Sequence, residues 1–396
     1  MWIEKGNDPE GYELIKVEGT FLKKENVLIY PYDSQFTPML RDKGFRERYD
    51  QVFISSLPGW GLCGKDASYT DGGDLIGITV SQEFEQMLGE VDTVIFAETD
   101  NSYSFKNNIL PKVTAAIEAG KNVIFLMKIT EQFHTIREQC IHKGVQFTSY
   151  RESNIEEAYQ PAVSVQEIED CRTPILALIG LAEYTNKFKL ELELKAAFED
   201  MGYRVSVVGS RPYCEFMGFH SFPTFMNELT NESDKILNYN KYIMHIEATE
   251  EPDLIIIAVP GGFMRYNNKI TNDFGITAYE IFQAVVPDTA VLSLFHERYT
   301  SEYIEGILNS IKYKLGLDID AINIANRQID WIEMVSSQPG QVSTLTLNLD
   351  FMRKSTAECR LVTSIPVFNT MEKGDNEKIA NLIIDKLSEA ELALNF

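Results

Sequence analysis

The chain is poor in the residues that build small cross-linked or metal-centred proteins. Its five cysteines, Cys63, Cys140, Cys171, Cys214 and Cys359, lie far apart with no C-x-x-C pair. An odd, scattered set excludes a disulfide framework and offers no zinc or iron–sulfur spacing; it suits a reducing cytosol. Histidine is equally sparse, with five residues, no H-E-x-x-H and no paired ligands, so no metal is expected. No G-x-S-x-G nucleophile elbow occurs. No run reaches the roughly 18 apolar residues of a membrane span, and the opening M-W-I-E-K-G-N-D-P-E has no signal-type apolar segment. The expectation is a cytoplasmic protein with no membrane partner. Positive charge is also short: 36 Lys and Arg stand against 59 Asp and Glu, a formal net charge of −23. Such a field repels polyphosphate, which argues against nucleic acid and leaves a basic protein or peptide as an acceptable partner.

What is present describes a globular α/β chain. With 44% hydrophobic and 24% charged residues, extensive disorder is not expected, and 396 residues allow two or three domains. Short apolar runs at 26–30, 51–55, 92–97 and 122–127, and a weaker one at 145–148, alternate with helical patterns. A second series follows at 175–179, 203–208, 253–259, 289–295 and 319–325, with helices expected over 274–286, 300–315 and 375–391. Apolar strands alternating with helices imply parallel sheets covered on both faces. The reading is two tandem parallel-sheet three-layer domains. The first, over 1–150, is Rossmann-like or flavodoxin-like; a polar linker spans 151–172; the second, over 173–396, is P-loop-NTPase-like.

That last assignment rests on residues 174–201, P-I-L-A-L-I-G, L-A-E-Y-T-N-K, F-K-L-E-L-E-L-K-A-A-F-E-D-M. A strand stops at Gly180, and Lys187 opens a helix with Leu190, Leu194, Ala197 and Phe198 on one face. A helix N-terminus presents unpaired N–H groups and partial positive charge, so a lysine there makes an anion site. The phosphate-binding loop G-x-x-x-x-G-K-[ST] is only partly kept. Between Gly180 and Lys187 there is one residue more, Asn186 stands where the second glycine would be, and Phe188 replaces the hydroxyl residue that holds Mg²⁺. An ordinary buried turn carrying a surface lysine remains the alternative.

In open α/β sheets ligands sit beyond the carboxyl ends of the strands. There the second domain offers Ser210 and Arg211, then Gly261 and Gly262, but no carboxylate to hold a metal. An anion held by Lys187, Arg211 and loop amides is therefore expected over a magnesium-bridged triphosphate. In the first domain, residues 57–74 form a glycine-rich loop after the second strand, with Trp60, Gly61, Cys63, Gly64, Lys65 and Asp66 as candidate contact groups. Cys63 has no activating base within the loop. Residues 213–226 gather rings and methionines, and Phe219, His220 and Phe222 are candidates for a peptide or interdomain surface; core packing is the alternative.

The segments Y-P-Y-D (30–33), G-W-G-L-C-G-K-D-A-S (59–68), N-K-F-K-L-E-L-E-L (186–194), G-Y-R-V-S-V-V-G-S-R (202–211), G-F-H-S-F-P (218–223) and V-P-G-G (259–262) resemble those of a clostridial family of peptide maturation system proteins. The resemblance implies an accessory role in ribosomal peptide (natural product) biosynthesis, with a precursor peptide and a radical SAM maturation enzyme as partners. The second half is also similar to P-loop proteins that carry an N-terminal Rossmann-like domain and a G-K-F-T loop. That likeness implies ATP or GTP as the bound nucleotide. Against that group, Asn186 and Lys189 replace a Gly and a Thr, and Arg211 stands where a carboxylate is usual, which argues against Mg²⁺ and hydrolysis. Two other classes stay open: a nucleotide-dependent ligase, kinase or NTPase acting on a peptide or small carboxylate, and a non-catalytic peptide-binding scaffold. The oligomeric state is open, a homodimer included.

Overall fold

Runs rich in Val, Ile and Phe become strands because branched and aromatic side chains fit a pleated surface buried on both faces. The computed structural model describes residues 5–7, 13–17, 20–99, 101–128, 131–151, 167–336 and 342–394. It divides into two compact units, one of Met1–Thr70 with Asp74–Glu152, the other of Asp71–Gly73 with Ser153–Phe396. Most of the expected linker, 152–166, lies outside the described residues. Its last part is tied down in the second unit: the Arg172 and Thr173 amides donate to Glu247 Oε1 at 2.8 and 2.6 Å.

The first unit begins with an antiparallel sheet of β1 (Lys5–Asn7), β2 (Glu13–Val17) and β3 (Thr20–Lys23), in a stretch the sequence presents only as a polar lead-in. Then come β4 (Val27–Tyr30), β5 (Val52–Ile54), β6 (Thr93–Phe96), β7 (Asn122–Phe125) and β8 (Phe147–Ser149). They form one parallel sheet in the order β5-β4-β6-β7-β8. Ranked along the chain this is 2-1-3-4-5, the flavodoxin-like order and not the Rossmann order 3-2-1-4-5-6. Helices α1 (Leu110–Glu118) and α2 (Phe133–Lys143) follow β6 and β7. Val113, Ala116 and Ile117 of α1 and Phe133 and Ile136 of α2 join Leu28, Val94, Phe96 and Phe125 in one buried core.

The second unit carries a six-stranded parallel sheet built from β9 (Ile175–Gly180), β10 (Val205–Val208), β11 (Leu254–Ala258), β12 (Thr289–Leu294), β13 (Ala321–Ile324) and, after a short antiparallel pair β14 (Arg327–Ile329) and β15 (Thr344–Thr346), β16 (Val367–Phe368). The order is β10-β11-β9-β12-β13-β16. Strand β9 is therefore central, with Ile257 of β11 opposite Ala177 and Leu292 of β12 opposite Ile179. All six of its residues are buried, which is why its sequence is a continuous apolar run with no alternation. The strands β14, β15 and β16 were not expected from the sequence; they are two or three residues long, too short to set a period.

Around this sheet lie α3 (Lys187–Asp200), α4 (Glu232–Glu250), α5 (Ile276–Ala284), α6 (Ser301–Leu315), α7 (Leu349–Cys359) and α8 (Asp375–Leu394). The first two turns of α3 are buried almost all round, because α8 covers the side away from the sheet; Asn376 Nδ2 of α8 donates to Glu193 at 2.5 Å. Among the described residues no helix is long and apolar enough to cross a membrane. The expected class, two tandem parallel-sheet α/β domains, is the class observed.

Candidate anion site

The turn between β9 and α3 is held from several sides. Leu181 N–H donates to Ser293 O of β12 at 3.0 Å, and Asn272 Nδ2 donates to Leu181 O at 2.9 Å. Within the loop, Thr185 Oγ1 donates to Ala182 O at 3.1 Å. Asn186 has φ 59° and ψ 22°, and its Nδ2 donates to Asn326 Oδ1, past the end of β13, at 2.6 Å. That left-handed backbone costs most residues roughly 1–2 kcal/mol, and asparagine tolerates it better than any side chain but glycine. Asn186 thus preserves the backbone bend that the missing glycine would have supplied.

Lys187, only 5% exposed, does not reach into solvent. Its Nζ turns back into the loop, donating to Ala182 O at 3.2 Å and to Gly261 O. The path runs directly over Gly180: a Cβ at that position would stand 2.8 Å from Lys187 Nζ and 2.7 Å from Thr185 Oγ1. The alternative of a surface lysine on an ordinary turn does not hold. At the end of β11, Gly261 has φ 69°, and its N–H faces back toward the same loop. A Cβ on Gly262 would meet Leu181 O and Asn272 Nδ2 at 2.5 Å, so the chain passes there only as glycine.

Two carboxylates that sequence reasoning passed over complete the cluster. Glu183 Oε1 accepts from Gly261 N–H at 2.5 Å. Loss of hydration around its carboxylate opposes the charge on Glu183, although the residue as a whole stays exposed, but Lys187, Arg211 and the Gly261 N–H outweigh it and hold the carboxyl below its ordinary range. Glu191, fully buried, accepts from Ser210 N–H at 3.1 Å and from Ser210 Oγ at 2.5 Å, and burial pushes its carboxyl upward. Burial also lowers Lys187, against the pull of Glu183 and Glu191. Arg211 lies over the Phe188 ring, 5.4 Å from its centroid, and its charge is felt by Glu183, Lys187 and Glu191. The site is therefore charge-compensated, whereas the sequence reading expected a cationic pocket. Glu191 was legible, since i and i+4 from Lys187 share a helix face; Glu183 was not, because loop side chains have no period.

The same geometry bears on Mg²⁺. Phe188, in the hydroxyl position, is buried against Tyr213 and Phe219, with ring centroids at 6.4 Å from each. Strand β11 ends at Ala258 and is followed by Val259 and Pro260. Ser210 is engaged by Glu191. Among the described residues no group of three or more His, Cys, Asp or Glu side chains is placed to hold a metal ion. The donors do not fit a magnesium site.

The glycine-rich loop of the first unit is a different object. Asp66 Oδ1 accepts from Ser68 N–H at 2.9 Å and Ile76 N–H at 3.0 Å, and Oδ2 accepts from Gly77 N–H at 2.8 Å. Burial opposes ionisation, but these bonds hold the carboxyl down at about 2. Lys65 Nζ lies 3.5 Å from the centroid of the Tyr69 ring. Gly61 and Gly64 take φ 69° and 79°, and Gly64 N–H donates to Val80 O at 2.8 Å. Trp60 packs against the core, and Cys63 is half-buried. These groups fold the loop on itself.

The ring-rich segment is core. Phe219 and Phe222 are each 6% exposed, which removes them from any outer docking face, as the packing alternative holds. His220 Nε2 is 2.6 Å from Glu250 Oε1, whose other oxygen accepts from Ser206 Oγ. These three and Glu215 line a cavity of about 290 Å³ at the edge of β10 that includes no residue of the 180–187 loop.

No protein-family model matches the chain, and no curated protein is similar to it. Among solved structures, a DUF1611 family protein from Anabaena variabilis is similar over 91% of this chain and 99% of its own, with a TM-score of 0.59 at 10% identity. That likeness shows the fold. Cobyrinic acid a,c-diamide synthase from Mycobacterium smegmatis, bound to ADP and magnesium, matches 55% of this chain and 96% of its own at 11% identity and a TM-score of 0.34. A plasmid partition protein from Borrelia burgdorferi bound to AMPPNP matches 55% and 100% at 12% identity and 0.32.

Proposed function

We propose that the second unit binds a nucleotide, ATP or GTP, or another phosphate-bearing anion at the 180–187 loop, without a metal bridge, and that the chain serves as an accessory protein in the maturation of a ribosomal peptide. The observation that carries the binding reading is Lys187, turned inward over Gly180 between two carbonyls, in a loop whose Asn186 keeps the left-handed bend. The charge of Lys187 is supported there by Glu183 and Glu191, which keeps a cation at a helix N-terminus, where an anion is favoured. The accessory role, with a precursor peptide and a radical SAM enzyme as partners, rests on the motif resemblance. A hydrolytic step is not part of the reading, because Phe188 and Arg211 stand where the hydroxyl and the strand-end carboxylate that hold magnesium in P-loop enzymes would be.

Calorimetric titration with ATP, GTP and pyrophosphate, each with and without Mg²⁺, tests the binding reading. Metal-independent binding that weakens tenfold to a hundredfold in Arg211→Ala is expected, the range for losing one charged hydrogen bond. Absence of binding by all three would end it. Metal-dependent binding followed by phosphate release would favour the nucleotide-dependent enzyme instead. For the accessory role, the measurement is whether adding the chain changes the extent of precursor-peptide modification by the radical SAM enzyme.

A further inference from the structure

Glu183 takes up the N–H that a ligand would need. In a nucleotide-type loop the phosphate lies where backbone N–H groups and the lysine converge. Here one such N–H, that of Gly261, is already bonded to the Glu183 carboxylate at 2.5 Å, and Lys187 and Arg211 are both within electrostatic reach of it. A side-chain carboxylate is chemically an anion of the class the site would bind. It reaches the N–H from within the loop, at no cost in translational freedom. Glu183 is nevertheless an exposed residue, so its side chain has somewhere to go when displaced. Nor does the Gly261 backbone obstruct exchange, for a Cβ there would have no neighbour nearer than Glu183 Oε1 at 3.9 Å.

Resting on the anion-binding reading above, we propose that Glu183 is the residue that sets the specificity of this site: the ligand binds by exchange with its carboxylate, and the class that succeeds is a phosphoryl or pyrophosphoryl group. Each carboxylate group of a ligand, including either end of a dicarboxylate such as succinate, brings the same single charge and the same two oxygens as Glu183 and pays the entropy of association as well, so it loses the competition. A phosphoryl group carries up to two charges and a third acceptor oxygen. It can take the Gly261 N–H while accepting from Lys187 and Arg211, so it gains what Glu183 cannot. Glu191 does not compete, because both of its oxygens are held by Ser210.

The test is a binding series on the full chain, with pyrophosphate and succinate as probes against wild type, Glu183→Gln, Glu183→Ala and Arg211→Ala, each checked for an unchanged unfolding midpoint. In wild type, pyrophosphate binds and succinate does not. In both Glu183 variants pyrophosphate is expected to bind about tenfold more tightly, the scale of one charge removed at partly screened range. Succinate becomes measurable, so selectivity narrows, and Arg211→Ala weakens pyrophosphate. If the Glu183 variants bind pyrophosphate no more tightly than wild type while Arg211→Ala still loses affinity, the exchange is wrong and the anion site stands. If no variant binds either probe, the anion site itself falls, and the exchange with it.

Discussion

The glycine-bearing loops that follow β5 and β9 each hold a carboxylate bonded to backbone N–H, Asp66 in the first and Glu183 in the second. In the first unit Asp66 takes three N–H donors, Ser68 in its own loop and Ile76 and Gly77 just after it. In the second, Glu183 takes one, from the loop after a neighbouring strand, and owes the rest of its stability to the charges of Lys187 and Arg211. The difference separates a structural carboxylate from an exchangeable one. Three directed hydrogen bonds fix a side chain and leave nothing for a ligand to gain; one bond and two nearby cations leave a place that a better anion can claim. Glycine content alone therefore says little about which loop binds.

Three perturbations would break or sharpen this contrast. The largest effect is expected at the two lysines. Lys187→Ala removes the cation that compensates Glu183 and the buried Glu191, so denaturant unfolding of the second unit should show a loss of about 3–5 kcal/mol. Lys65→Ala, which removes only a cation from the exposed Tyr69 ring, should cost about 1 kcal/mol or less. Equal losses would erase the distinction drawn between the loops.

The carboxylates come next. Asp66→Ala strands three N–H groups and should destabilise the first unit by roughly 1–3 kcal/mol, more than Glu183→Ala costs the second. The Asp66 carboxyl is depressed to about 2 from an ordinary 3.8. Its contribution is then complete above the higher value and is lost as pH falls toward the lower one. The stability gap between wild type and Asp66→Ala should accordingly be constant near neutrality and close as pH drops from 4 toward 2. A gap that persists at the acid end would mean that the carboxylate charge is not what holds the loop.

The smallest effect is at Asn186. Substitution by Gly removes the left-handed strain and the bond to Asn326 together, two terms of about 1 kcal/mol and opposite sign, so the unfolding midpoint should barely move. Asn186→Ala loses the bond and adds strain, about 2 kcal/mol in all. Anion affinity that survives in the glycine variant and drops in the alanine variant would tie the bend itself to binding.

Much of the architecture was legible in the chain. The ten expected parallel strands all form, because each is a short apolar run; β4, β6, β9, β11, β12 and β13 are buried on both faces, and the edge strands β5 and β8 only partly. The helix opening at Lys187 was equally plain, with Leu190, Leu194, Ala197 and Phe198 buried as their spacing requires. The opening antiparallel sheet and the late short strands were not, since two to five residues in polar surroundings carry no usable period. Among the site residues, Gly180, Asn186, Lys187, Gly261 and Gly262 converge at the loop, whereas Ser210 is engaged by Glu191 and Arg211 acts on the cluster through its charge.

By itself the sequence determined the strand–loop–helix unit, the position of its lysine and the lack of a magnesium-binding hydroxyl, because those depend on residue type and local spacing. It could not determine where the lysine points or what faces it. The inward turn of Lys187 over Gly180, and the meeting of Glu183 with the Gly261 N–H 78 residues further along the chain, need β9 and β11 side by side. Only packing of the parallel sheet decides which strand ends become neighbours, and with them which charges must share a site.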